Sequence, residues 1–422
     1  MRPGTFVRRP VVLRRGRIGA ALIGPGFVAA VAYVDPGNFA TNFSAGAGYG
    51  TGLLWVLLAA NMVGILVQYL SAKAGLASGR NLAQLCKEHC PSYVAVPLWV
   101  QAELVAIATD LAEIVGGAIA LNLLFGLPLL AGGVITALLS FAILVLEARH
   151  RRAFEATIAL LLALIVVSFL WTGLRSEAYA PRLTFTVPEG ESAMLAAGII
   201  GATVMPHAVY VHSDLTARHR RAAPVIDEAL SGPQARTSAG SLLRRIRTDV
   251  WAALGVAGFV NAAMLLVAAS VFAGDGTDHH GLEGVHAGLG EALGGHTALL
   301  FASALLISGL ASSSVGTYAG QVAMAGFLRR SVPATFRRLC TVAPALLVLG
   351  FQADATTALL WSQTALSLCL PFTLVPLVWL TNSPTVMGTC VNSRLTTIAA
   401  GVVTAAVIAA NAVLMCQQLG VG

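Results

Sequence analysis

The chain has 422 residues, 57% hydrophobic and 11% charged, and its mean hydropathy is +0.79. An average soluble chain is about one-quarter charged, so a water-soluble globular domain is excluded and the chain reads as an integral membrane protein. The formal net charge of +7 implies no nucleic-acid partner, because the positive-inside rule accounts for where Lys and Arg fall.

At about 20 residues per crossing, the apolar runs predict eleven helices, at 18–45, 52–72, 95–124, 128–147, 154–174, 192–216, 250–273, 297–327, 338–351, 355–380 and 396–417. The Arg-rich stretch 1–17 runs into the first span with no small-residue cleavage site, so it reads as a cytoplasmic tail and the first helix as retained. Alternating from there places 24 of the 26 Lys and Arg inside, including Arg329, Arg330, Arg337 and Arg338 between the eighth and ninth spans. Only Arg175 and Arg182 fall outside, and the C-terminus is extracytoplasmic. Residues 217–249, with Gly232 and Pro233, read as a flexible cytoplasmic linker. With 24 Arg to 2 Lys and abundant Ala and Gly, the composition suggests a GC-rich bacterial genome and hence a bacterial cytoplasmic (inner) membrane.

Ionisable residues inside spans cost about 2.5–3.5 kcal/mol each on insertion scales, so each needs a functional reason. Asp35 lies in Val34-Asp35-Pro36-Gly37-Asn38, where Pro lacks a backbone donor and Gly tolerates non-helical dihedrals, so the first span should break there. Broken backbone at membrane depth must be buried in protein or line a cavity. Beside a carboxylate and an amide it makes a cation site, the alternative being a proline kink with a satisfied Asp. The sixth span repeats the pattern in Gly201-Ala202-Thr203-Val204-Met205-Pro206-His207. Each break lies in the first span of a five-span unit, and five is odd, so the units 18–174 and 192–380 run in opposite directions, with 396–417 as an extra helix. Interrupted helices in matching positions of two inverted halves point to a transporter's midplane site.

The donor types suggest the cargo. Asp35, Asn38 and the Ala202 carbonyl are hard oxygens and Met205 is a soft thioether, a mixture that suits Mn2+, Fe2+, Co2+ or Cd2+ better than Ca2+ or Mg2+. Met205 alone would read as packing. Gln363 in the tenth span is a further possible ligand or gate, since Pro371 and Pro376 should interrupt that span too.

In the third span Asp110 and Glu113 share a helical face and Glu103 sits seven residues earlier, a carboxyl chain of the kind that relays protons. The competing reading is plain interhelical hydrogen bonding. A relay needs an exit: His207 and His212 continue titratable character along the sixth span, and Arg218, with Arg220 and Arg221, marks its cytoplasmic end, which puts Arg218 on the proton path. Asn61, Gln68, Asn261, Ser312, Ser313, Ser314 and Asn411 read as packing glue. The outer loop 275–296, with His279, His280, His286 and His296 among Asp and Glu, reads as solvated and acid-biased, attracting cations through its field. The six cysteines form no secreted disulfide framework, and Cys86-Lys87-Glu88-His89-Cys90 is too sparse a pattern to read as a metal site.

At Asp35-Pro-Gly-Asn38 and Met205-Pro-His207 the chain resembles the Nramp family of proton-coupled divalent metal transporters, bacterial manganese importers in particular. The resemblance runs from about residue 20 to 417 through Val67-Gln68-Tyr69-Leu70-Ser71-Ala72-Lys73, Ala108-Thr109-Asp110-Leu111-Ala112-Glu113 and Ser308-Gly309-Leu310-Ala311-Ser312-Ser313-Ser314. It implies an all-α inverted-repeat fold of the LeuT type, with metal on Asp35, Asn38, Met205 and the Ala202 carbonyl. It also implies proton passage from Asp35 through the third-span carboxyls, with His207 nearby. The expected cargo is Mn2+ or Fe2+ with H+, with no tightly bound cofactor and no obligate protein partner. Rival readings are a same-fold symporter of a small organic solute such as an amino acid, a membrane-embedded hydrolase and an ion channel. Met205 weighs against the first, and the lack of H-E-x-x-H or G-x-S-x-G against the second.

Overall fold

The computed structural model describes residues 24–149, 151–176, 183–223, 226, 230, 235–272, 281–328 and 333–418. The tail 1–17, Arg182, Gly232, Pro233, His279, His280, Arg329 and Arg330 lie outside them. Among the described residues every regular element is helical. Among the described residues eight helical segments, the broken Glu191–Ala222 counted as one, are long and apolar enough to cross a membrane, and Pro25–Val34 and Leu129–Val145 are shorter apolar helices.

In chain order the first span is α1 (Pro25–Val31), a 3-10 turn (Ala32–Val34) and α2 (Pro36–Tyr49). Then come α3 (Leu54–Ser78), α4 (Leu82–His89), α5 (Ser92–Phe125), α6 (Leu129–Arg149) and α7 (Arg151–Arg175). The sixth span is α8 (Glu191–Thr203) followed by α9 (Pro206–Ala222). The rest are α10 (Ala235–Phe272), α11 (Gly281–Leu293), α12 (Gly295–Leu328), α13 (Ala334–Gly350), α14 (Ala355–Thr381), α15 (Pro384–Met387) and α16 (Arg394–Gln418). Pro36 and Pro206 each occupy a helix's first turn, where the missing N–H costs nothing, so both prolines start a helix as they end another.

The two broken spans sit at the centre. α12 packs along α5, α10 along α2, α9 along α3, and α14 against both α5 and α8. The core is continuous and rich in Ala, Val and Leu. It holds an aromatic cluster in which Phe39 meets Phe169 edge-on at 5.4 Å between centroids and Phe43 meets Phe301 at 5.1 Å.

Three expectations from the sequence are corrected. The stretch 235–249, read as linker, is the beginning of α10. Ala239, Leu242, Ile246, Val250 and Ala253 recur at helical spacing and are all buried, so its arginines share a helix with an apolar stripe. Part of the outer loop forms α11, because Leu282, Val285 and Leu289 bury one face. Finally, Pro371 and Pro376 do not interrupt α14, which runs unbroken from Ala355 to Thr381.

Candidate metal site

Where the first span breaks, Asp35 leaves the helix (φ −93°, ψ 169°) and caps α2, its carboxylate accepting the Asn38 N–H at 2.8 Å. The Asn38 side-chain amide donates to Asp35 Oδ1 at 2.7 Å and to the Ala202 carbonyl at 2.9 Å, joining the two breaks 164 positions apart. At the second break Val204 (φ −107°, ψ 76°) leaves the helical region and Met205 (φ −78°, ψ 120°) is extended, between α8 and α9. Gln363 Nε2 of α14 reaches Asp35 Oδ2 at 3.4 Å. Asp35, Asn38, Ala202, Met205 and Gln363 are all 0% exposed. Asn38 Oδ1 and Gln363 Oε1 are buried acceptors without a donor, and buried oxygens in that condition call for a partner.

Two glycines permit this geometry. A Cβ on Gly37 would collide with the Gln363 side chain, and one on Gly201 with the Gln363 carbonyl oxygen. α14 therefore lies against both breaks at a distance only glycine allows.

The carbonyls freed from the first span are not left open. Asn261 of α10 donates to the Tyr33 carbonyl at 2.7 Å, and Ser308 of α12 to the Val34 carbonyl at 2.6 Å. Asn42 in turn donates to Asn261 Oδ1 at 3.1 Å. Asn261, read from sequence as packing glue, thus holds the break open, and Ser308 was not distinguished from its motif.

The α5 carboxyls lie in a row, with partners that sequence reading placed elsewhere. Arg337 and Arg338, expected as loop arginines, are 3% and 6% exposed within α13. Arg338 Nη1 donates to Asp110 Oδ1 at 2.7 Å, and its Nη2 to Ser140 at 2.5 Å and Ser313 at 2.7 Å. Arg337 Nη2 donates to Glu103 Oε2 at 2.8 Å. The correction has a physical reason: guanidinium forks are the cations best able to enter a bundle when carboxylates and hydroxyls await them. Glu113 is fully buried and, among the described residues, takes no part in an ion pair. His207 joins α9 to this row through Nδ1 and Thr109 Oγ1 at 3.2 Å, and its Nε2 has no partner.

On the other side of Asp35 the bundle is closed by Gln68, which donates to Tyr33 Oη at 2.8 Å and accepts from His212 Nδ1 at 2.9 Å. Ser71 adds a bond to the Val209 carbonyl at 2.6 Å. Arg218 pairs through Nε with Asp214 at 2.6 Å and stacks over Tyr318, whose hydroxyl also donates to Asp214 at 2.7 Å. That places Arg218 in a tie between α9 and α12, while the guanidiniums beside the α5 carboxyls are those of α13.

The chain has counterparts among known proteins. Residues 26–417 match the Nramp family, described as natural resistance-associated macrophage protein-like. The chain is 48% identical over 403 residues to a divalent metal cation transporter MntH of Mycobacterium tuberculosis, covering 93% of this chain and 91% of that one. It is 41% identical over 398 residues to the MntH of Bacillus subtilis, covering 93% and 91%. Among solved structures, the Eremococcus coleocola manganese transporter superposes with a TM-score of 0.82 at 28% identity, covering 98% of this chain and 90% of that one. Mhp1, a nucleobase-cation-symport-1 family transporter, superposes at 0.58 with 15% identity over 94% and 92%, and supports a LeuT-like fold alone. On this match the chain belongs to the Nramp family of multi-pass membrane transporters.

Proposed function

We propose that the protein imports Mn2+, with Fe2+ as a second substrate, into the bacterial cytoplasm together with protons, by alternating access. The observation that carries this reading is the meeting of Asp35, Asn38, the Ala202 carbonyl and Gln363 where two helices break, sealed from water with two acceptor oxygens unpartnered. Met205, three residues beyond Ala202 at the same break, adds the soft donor that favours transition metals over Ca2+ and Mg2+. The names of the relatives, divalent metal cation transporters and a manganese transporter, agree with that donor set.

The proposed topology has eleven crossings, cytoplasmic N-terminus and extracytoplasmic C-terminus, with inverted repeats over 18–174 and 192–380 and a final helix at 396–417. The proton is assigned to Asp35, Glu113, Asp110 and Glu103, with His207 bridging to α5 at Thr109. Arg338 and Arg337 pair with Asp110 and Glu103 along that path, and Glu113 lies between these pairs and Asp35 without an ion-pair partner among the described residues. Arg218 belongs to the closure through which cargo leaves.

The test is uptake of Mn2+ into proteoliposomes, with internal pH followed and Ca2+ or Mg2+ as competitor. Saturable entry with acidification, indifferent to the competitors and lost in Asp35→Ala, is the expected result. Saturable Mn2+ uptake retained by Asp35→Ala at normal protein levels would overturn the site. Metal entry without proton movement would remove the α5 carboxyls from the transport cycle.

A further inference from the structure

Of the six cysteines, Cys86 and Cys90 stand one turn apart at the end of α4, outside the membrane-crossing helices on the side the proposed topology makes cytoplasmic. The helix is anchored at its start. Asn81 caps it by accepting the Gln84 N–H at 2.9 Å, Asn81 Nδ2 donates to Asp214 at 3.1 Å, and Leu82 N donates to Ser213 Oγ at 3.0 Å. Its other end closes with the Cys90 N–H on the Cys86 carbonyl at 2.9 Å, which puts both thiols on one face.

The thiols are close enough to influence each other's ionisation and differ in environment. Cys86 is 1% exposed, whereas Cys90 is only partly covered. The neighbouring Cys86 thiol brings the Cys90 thiol down to about 7. The same proximity, with burial, pushes Cys86 up. His89, the third soft donor in the run, turns its Nδ1 to the Leu85 carbonyl at 3.0 Å. Among the described residues no group of three His, Cys, Asp or Glu could hold a metal, so no third ligand joins the two sulfurs.

We propose that Cys86 and Cys90 form a redox-active dithiol that reacts with low-molecular-weight disulfides, Cys90 attacking and Cys86 resolving. The Cys90 thiolate attacks one sulfur of the disulfide, forming a mixed disulfide and releasing the first thiolate. Cys86 then loses its proton and attacks Cys90 Sγ, displacing the second thiolate. Two protein thiols are oxidised to one disulfide, and one small disulfide is reduced to two thiols. Capping Cys90 removes the neighbouring anion that holds the proton on Cys86, so the first step prepares the second.

The geometry can accommodate the bond. A disulfide needs Cβ atoms about 3.5–4.5 Å apart, against about 5–6 Å on a regular helix. Cys90 is the C-cap, already extended at φ −94° and ψ 142°, so the last turn can tighten without breaking a helix interior. In a reducing compartment such a pair is transient rather than structural.

The full-length protein in detergent is treated with oxidised glutathione and examined by intact mass and peptide mapping. Wild type should lose the mass of two hydrogens, with Cys86 and Cys90 in one cross-linked peptide. Cys86→Ala should accumulate a glutathione adduct at Cys90, and Cys90→Ser should show neither the cross-link nor an adduct at Cys86. Adducts confined to Cys340 or Cys416, or an unresolved Cys90 adduct in wild type, would overturn the proposal. A folded Cys86→Ala variant without a Cys90 adduct would do so as well. The readout is chemical, so its failure is distinct from a failure of metal transport.

Discussion

Arg338 and Asp110, 228 positions apart in sequence, meet at 2.7 Å with both side chains almost wholly buried. Desolvating two charges is costly, and what repays it here is the full use of the guanidinium, which also donates to Ser140, Ser313 and Thr317. Removing one partner leaves the other charge stranded. Arg338→Ala is expected to destabilise by about 3–5 kcal/mol, and Asp110→Asn with Arg338→Gln by clearly less than the sum of the single changes. Denaturant unfolding in detergent checks this, and strictly additive losses would show the two charges to be independent.

In the proposed site Met205 bears on selectivity rather than on binding as such. Met205→Ala removes the soft donor and leaves Asp35, Asn38 and the Ala202 carbonyl, all oxygen ligands that Ca2+ and Mg2+ accept readily. Mn2+ uptake by this variant should become sensitive to excess Ca2+, while wild type remains insensitive. Competition measured at matched protein levels decides it, and an unchanged Ca2+ response would return Met205 to packing.

The two breaks were legible because Pro36 and Pro206 each withdraw a backbone donor beside residues that carry donors lipid cannot tolerate; proline alone is not enough, as Pro371 and Pro376 inside the unbroken α14 show. The row Glu103, Asp110, Glu113 was legible through helical spacing alone. Its counter-charges were not. Counting Arg337 and Arg338 as positive-inside residues balanced the topology, and nothing local to them says that Glu103 and Asp110 lie opposite. The same blindness shortened the ninth span to 338–351, although α13 begins at Ala334 and carries both arginines within it. Asn261 reads as packing glue, and Ser308 does not stand out from its motif, because a single amide or hydroxyl in a span usually bonds its neighbour helix. What they bond here are two carbonyls that exist only because another helix has broken.

Gly37 and Gly201 both face Gln363 but should respond differently to a methyl group. A Cβ at Gly37 meets the end of the Gln363 side chain, whereas one at Gly201 meets backbone atoms of Gln363 and Ser367. A side chain can be trimmed and a backbone cannot. Gly37→Ala should lower uptake and recover folding stability when Gln363→Ala is added. Gly201→Ala should cost about 1–3 kcal/mol with no recovery from Gln363→Ala. Thermal unfolding of the four variants tests the asymmetry, and equal rescue of both would contradict the packing described.

The closure on the far side of Asp35 depends on Gln68, whose amide holds Tyr33 of the broken span and whose oxygen takes the His212 proton. Tyr33→Phe keeps the ring and removes the hydroxyl, leaving the buried Gln68 amide short of an acceptor at a cost of about 1–3 kcal/mol in the closed state. The open state, where water reaches the amide, does not bear that cost. A penalty of about 1.4 kcal/mol therefore raises the open population about tenfold. A cysteine placed at Ala32, which is 0% exposed, reports on the opening in a background free of the native cysteines. Its labelling from the cytoplasmic side by a membrane-impermeant thiol reagent should accelerate several-fold in Tyr33→Phe. Unchanged labelling would mean that the helix pair stays shut without the hydroxyl, and would move the closure to the Ser71–Val209 and Asp214–Arg218 contacts.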